Sequence, residues 1–180
     1  MKGTVTHSPS LRLRCTLTKA LPAILALSTT FMAWKGLCIF TASPNPVVVV
    51  VSESMAPAFH RGDILLLWNR SSCVQVGEVP VVWFAGNPLP MVHRAVKVFN
   101  LDCSHDDPSS RQLMVTKGDN NEFEDIPLYP AGRQFISRDE VKGLVTGYLP
   151  FLGWMVIGLQ EVVWVKYLLF VFASYVTLVG

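Results

Sequence analysis

Fifteen consecutive residues, Ala20 to Trp34, carry no charge, and they follow a start whose only charges are basic. Met1 to Lys19 holds Lys2, Arg12, Arg14 and Lys19 and no acid. Lys35 interrupts the apolar run, and Gly36 to Ser52 is again uncharged. A helix from about Ala20 to Phe40 approaches the roughly 20 residues that cross a bilayer. Pro22 suits the first turn of such a helix. A cleavable secretory signal is the rival reading, but its apolar core is only about 7–15 residues. The longer run favours an anchor. Basic residues before it then keep the N-terminus in the cytosol, so that whatever follows Thr41 lies across the membrane. Lys35 would sit near the far interface and snorkel out, or meet a partner helix.

Composition agrees with a lipid bilayer as partner. The chain of 180 residues is 51% hydrophobic and 16% charged, against about 25% charged in average soluble domains. A net charge of +2 at pH 7 is too weak to argue for a nucleic-acid partner. Cys15, Cys38, Cys73 and Cys103 form no C-x-x-C pair, so no zinc or redox motif is expected. Cys73 and Cys103 would bridge in an oxidising lumen, or stay as two free thiols.

Residues 44 to 148 read as β-rich. Val47 to Val51 are five valines after Pro46, a strongly strand-forming run. Ile64–Trp68, Val79–Phe84, Met91–Phe99 and Leu113–Thr116 are further short apolar or alternating runs, separated by Gly, Pro, Asn, Asp and Ser. Asn100 to Arg111 is a polar loop. From Leu144 onward the chain turns apolar, with only Glu161 and Lys166 charged. That end is expected to be a membrane-associated helix, with burial against another protein as the alternative. The expected organisation is a cytosolic tail (1–19), an anchor (20–41), a lumenal β-rich catalytic domain (42–150) and a C-terminal membrane-associated helix (151–180).

Several residues suggest hydrolytic chemistry, which needs a nucleophile, a base and donors for an oxyanion. Ser52-Glu53-Ser54-Met55 follows the pentavaline run and precedes Pro57. A serine fixed at a strand end is a rigid mount, although most such serines only bond their own turn. His7 falls on the cytosolic side. His60 stands in the turn His60-Arg61-Gly62-Asp63, and His105 in an acidic loop that imitates a metal site but suits solvent. His93 interrupts an apolar segment, as a half-buried structural histidine or as a base. Asp119 and Asp125 lie in one polar segment, Lys117 to Asp125. Either suits the carboxylate that orients a catalytic imidazole, or an ordinary turn. Asn69-Arg70-Ser71 is a glycosylation sequon on the expected lumenal side.

These signals occur together in a particular order. Trp34-Lys35-Gly36-Leu37 is followed by Val48 to Val51 with Ser52-Glu53-Ser54-Met55, then Pro57-Ala58-Phe59-His60-Arg61-Gly62-Asp63 and Gly77-Glu78-Val79. Val92-His93-Arg94, Thr116-Lys117-Gly118-Asp119-Asn120-Asn121 and Leu128-Tyr129 come last. In this the chain resembles the catalytic subunit of the eukaryotic signal peptidase complex, over roughly Ala33 to Leu152. The resemblance implies a mainly β, signal-peptidase-like domain between two apolar segments. It implies a serine endopeptidase of the endoplasmic reticulum membrane that removes signal peptides after small residues. It matches Ser54 to the nucleophile and His93 to the general base, where bacterial relatives carry lysine. It matches Asp125 to the acidic partner, with Asp119 a second aspartate of weight, and Ser52 to an oxyanion helper. Met55 and the neighbouring valines would line the substrate groove, or simply pack the core. Glu53 departs from a glycine common in the family, which should narrow the freedom of the turn. Implied partners are signal peptides, other subunits of the complex and the bilayer. No metal, cofactor or nucleic acid is implied. A catalytically silent subunit of the same complex would keep this fold but lose a catalytic group. A self-cleaving repressor-type peptidase would use lysine and carry a DNA-binding domain in place of the anchor.

Overall fold

The computed structural model describes residues 9–100 and 112–161, with Tyr167 and Val171 beyond them. His105, Cys103 and most of the C-terminal apolar stretch lie outside the described residues. The chain divides into two units, Met1–Phe40 and Thr41–Gly180.

The first unit is built on one helix, α1 (Pro9–Thr41). It begins well before the apolar run, so Pro22 lies inside it and not in its first turn. Thr18–Thr41, 24 residues with mean hydropathy 1.6, is long and apolar enough to cross a membrane. At roughly 1.5 Å per residue it extends about 36 Å, against a hydrocarbon core of about 30 Å. Two of its hydroxyls are satisfied within the helix: Thr29 Oγ1 donates to Leu25 O at 2.9 Å and Thr30 Oγ1 to Ala26 O at 2.8 Å. The Lys35 ammonium lies 5.7 Å from the centroid of the Phe31 ring one turn back, a cation–π contact.

The second unit is mainly β. Its strands are β1 (Val47–Val49), β2 (Ile64–Trp68), β3 (Pro80–Val82), β4 (Met91–Val92), β5 (Arg94–Asn100), β6 (Gln112–Lys117), β7 (Ile136–Ser137) and β8 (Val141–Leu149). They form an antiparallel five-stranded sheet, β1-β2-β8-β3-β4, and an antiparallel three-stranded sheet, β5-β6-β7. The central strand β8 was not among the runs expected from sequence. Gly143 and Gly147 make Val141–Leu149 look like a poor strand, yet Gly143 is a contact position. A Cβ there would lie 3.0 Å from Leu67 Cβ on β2. The register slips beside β8 on both sides, between Leu66 and Leu67 and between Val81 and Val82. Such irregularities bend a sheet.

The core has two parts. Leu65 and Leu67 of β2 and Val81 of β3 pack together with Val50. Val74, Val82, Phe84, Ala95, Met114, Tyr129, Ile136, Val141 and Leu144 join the two sheets. Strands β4 and β5 are separated only by His93, so one extended segment leaves the first sheet and enters the second at that residue. The described part of the C-terminal segment includes a short helix, α2 (Trp154–Glu161). Its first residue seals the turn at Gly62, where a Cβ would lie 2.2 Å from Trp154 Nε1.

Candidate active site

The loop after β1 carries Ser54 and is held from two sides. Val50 N–H donates to Asp63 O at 2.9 Å and Gly62 N–H to Val50 O at 2.9 Å, tying the loop to the His60–Asp63 turn. Asn120 N–H donates to Ser54 O at 2.9 Å, and Asn120 Nδ2 donates to Glu53 O at 3.2 Å. Glu53 has no left-handed backbone; among the described residues only Ala42, Phe151 and four glycines have positive φ. Glu53 therefore fits the turn without strain, and its side chain braces the loop by accepting the Arg61 N–H at 3.1 Å. Met55 is 2% exposed and anchors the loop from beneath.

At His93, where the extended segment passes from β4 to β5, the imidazole meets this loop. His93 Nε2 lies 2.9 Å from Ser54 Oγ, and His93 Nδ1 lies 2.6 Å from Asp125 Oδ2. His93 is buried and Asp125 is 1% exposed. A carboxylate only accepts hydrogen bonds. Nδ1 therefore carries the proton toward Asp125, and in the neutral ring Nε2 accepts from the Ser54 hydroxyl. Ser52 Oγ lies 3.2 Å from Ser54 Oγ, on the remaining side of the nucleophile.

Asp119 is elsewhere. Arg94 Nε and Nη2 donate to its two oxygens at 2.8 and 2.6 Å, and Arg94 Nη1 donates to Gly77 O at 2.8 Å. The bidentate Asp119 contact pushes the Arg94 pKa up, against a smaller opposing effect of desolvation. His93 and Arg94 are consecutive in extended chain and point to opposite sides. Each thus takes a different aspartate. Asp119 contributes to the turn Gly118–Asn121 behind Ser54, and Asp125 contacts the imidazole.

Two residues not singled out for chemistry complete the cluster. Thr116 Oγ1 donates to Asp125 Oδ2 at 2.8 Å and lies 3.1 Å from the Tyr129 hydroxyl, which also accepts the Thr116 N–H at 2.9 Å. Both residues stood in the ordered motif blocks, and a buried threonine hydroxyl in a strand was the signal available. His60, by contrast, is exposed in its turn. Among the described residues no group of His, Cys, Asp and Glu has the arrangement of a metal site.

A groove of about 420 Å³ opens beside Ser54. One wall is Val48–Ser52, from β1 onward; the other is Pro90–His93, along β4; Met55 and Phe59 lie between. Strands β1 and β4 are the two edges of the five-stranded sheet, so the bent sheet brings both of its edges to one groove.

This geometry is accompanied by close sequence similarity to named proteins. The chain is 45% identical over 163 residues to a signal peptidase complex catalytic subunit of Aspergillus oryzae, covering 85% of each chain. It is 47% identical over 144 residues to that of Chaetomium globosum, covering 79% of this chain and 80% of the other. With that of Eremothecium gossypii it shares 43% identity over 171 residues, 94% of this chain and 99% of the other. The chain belongs to the family of signal peptidase complex catalytic subunits. No family model matches it. Membership makes it a protease and sets aside the silent-subunit reading. In the sequon, Asn69 Nδ2 donates to Ala42 O at 3.3 Å and Asn69 Oδ1 accepts from Arg138 at 2.8 Å.

Proposed function

We propose that this chain removes signal peptides from secretory and membrane proteins through an acyl-enzyme at Ser54, with His93 as general base and Asp125 as its orienting partner. The single observation that carries the reading is the unbroken run of hydrogen bonds from Ser54 through His93 to the buried Asp125. Signal-peptide removal at the endoplasmic reticulum membrane is the work of the family. With Nδ1 bonded to Asp125, the Nε2 of the neutral ring accepts the Ser54 proton as the hydroxyl attacks the scissile carbonyl. Asp125 stabilises the imidazolium that forms. The imidazolium then protonates the leaving amine. Water enters, is deprotonated by His93 and releases the acyl group. The Ser54 N–H and the Ser52 hydroxyl stabilise the tetrahedral oxyanion; Ser52 stands 3.2 Å from the attacking oxygen.

The substrate's cleavage segment lies extended in the groove. Two sheet edges there offer main-chain hydrogen bonds to an added strand. Apolar side chains crowd the floor near Ser54, which suits small residues before the cut. The helix Thr18–Thr41 anchors the enzyme, its N-terminus in the cytosol and its β unit in the lumen, following the basic start. Other subunits of the complex and signal peptides are its partners.

The test is cleavage of a labelled secretory precursor by the detergent-solubilised complex carrying Ser54→Ala. Loss of processing with assembly intact supports the proposal. Processing at the wild-type rate refutes it. The lumenal placement is tested separately, by protease protection of the β unit in sealed microsomes.

A further inference from the structure

We infer that Thr116 and Tyr129 are positioning residues for the reaction, acting on His93 through the Asp125 carboxylate. The inference rests on the triad reading above and extends it inward from Asp125.

The hydrogen bonds at Asp125 have only one consistent direction. Asp125 Oδ2 receives both His93 Nδ1, at 2.6 Å, and Thr116 Oγ1, at 2.8 Å. Asp125 Oδ1 is buried without a hydrogen-bond partner among the described residues. The rotation of the carboxylate is therefore set by what binds Oδ2. An ionised carboxylate only accepts, so the Thr116 proton points to Asp125. The Tyr129 hydroxyl must then donate to Thr116 Oγ1, 3.1 Å away, while its oxygen accepts the Thr116 N–H at 2.9 Å. Every proton from Tyr129 to Ser54 is thereby assigned. Burial is the main influence on Tyr129 and pushes its pKa up, partly offset by its bonds to Thr116. The phenol thus keeps its proton at neutral pH and remains a donor.

The identity of residue 116 supports the same reading. Thr116 is fully buried on β6, opposite Ala95 of β5. Valine has nearly the same shape and would suit a buried strand position as well. A hydroxyl there costs free energy unless it is bonded, and its bonds run to the catalytic carboxylate and the tyrosine. Tyr129 is fixed by the turn that follows Asp125: Leu128 N–H donates to Asp125 O at 2.7 Å and Tyr129 N–H to Ile126 O at 3.2 Å. Its ring packs on Phe84, centroids 5.8 Å apart.

The experiment measures kcat and KM of the assembled complex on a precursor with a cleavable signal peptide. Thr116→Val is expected to lower kcat about 10–100-fold, the range of one hydrogen bond to a charged group, with KM within about twofold. Thr116→Ser restores the hydroxyl and should recover kcat to within a few-fold. Tyr129→Phe leaves the threonine in place and should cost less, about 3–10-fold. In an Asp125→Ala background, Thr116→Val should cost nothing further. The inference is overturned if Thr116→Val keeps kcat within about twofold, if it raises KM alone, or if serine is as poor as valine. Should Thr116→Val fail to assemble, the serine and phenylalanine variants decide the question by the same readouts. If Asp125→Ala itself cleaves at the wild-type rate, the triad reading fails. If Asp125→Ala is inactive while Thr116→Val is not, only the present inference fails.

Discussion

Replacing Gly118 by alanine would move the nucleophile without touching it. Gly118 sits in the turn behind Ser54, and a Cβ there would lie 2.7 Å from the Ser54 carbonyl oxygen and 2.7 Å from Asn121 Nδ2. Ordinary contact begins at 3.4 Å. The amide of Asn121 is the end of a side chain and rotates away cheaply. The Ser54 carbonyl is backbone, held by the Asn120 N–H at 2.9 Å, and must yield about 0.7 Å, the gap between 2.7 and 3.4 Å. Overpacking of this kind costs about 1–3 kcal/mol, which a folded domain survives. The effect on chemistry is larger in proportion. A reacting atom misplaced by about 1 Å costs about 100-fold, so a shift somewhat smaller should cost on the order of 10–100-fold in kcat/KM. The assay is precursor cleavage by purified complex, with assembly and thermal denaturation followed in parallel. Wild-type kcat/KM in a well-assembled Gly118→Ala enzyme would refute the reasoning, because the loop would then have absorbed the methyl without moving Ser54.

Other predictions concern the loop, the sequon and the buried phenol. Met55 is 2% exposed beneath the nucleophile loop, so Met55→Ala should destabilise the β unit by about 2–5 kcal/mol, seen as a lowered denaturation midpoint. Asn69 gives both ends of its amide to Ala42 and Arg138; the folded protein should therefore show no mobility shift on glycosidase treatment, and a shift would count against that packing. Tyr129 has its pKa raised in the fold, chiefly by burial. The stability tied to its protonated form is fully present below the ordinary tyrosine value of about 10 and is lost as pH rises through the folded value. Ultraviolet titration should show a late-ionising phenol that is missing from Tyr129→Phe.

Much of this arrangement was legible in the sequence, and the gaps have physical causes. The uncharged run announced the long helix, but composition does not mark where a helix begins. The helix is already formed at Pro9, which leaves Pro22 inside. The valine run gave a strand of only three residues, Val47–Val49, because Val50 already turns to bond Gly62 and Asp63. The central strand was hidden by Gly143, whose missing side chain looks like weakness in a string of letters and is close packing against Leu67 in three dimensions. Sequence order brought forward Ser54, His93, Asp119 and Asp125 together but left the two aspartates open. What separates them is the alternation of His93 and Arg94 on an extended chain, and that depends on which sheet each residue faces. Thr116 and Tyr129 were visible as letters within motif blocks, whereas their contact is a consequence of the turn between them.

The most direct test of the account is to trap the acyl-enzyme analogue. The complex would be incubated with a peptidyl phosphonate ending in an alanine mimic, and the adduct mapped by mass spectrometry. The account predicts a single covalent adduct on Ser54, formed far more slowly in His93→Ala and Asp125→Ala. An adduct on another residue, or unhindered labelling of Ser54 when His93 is removed, would contradict it.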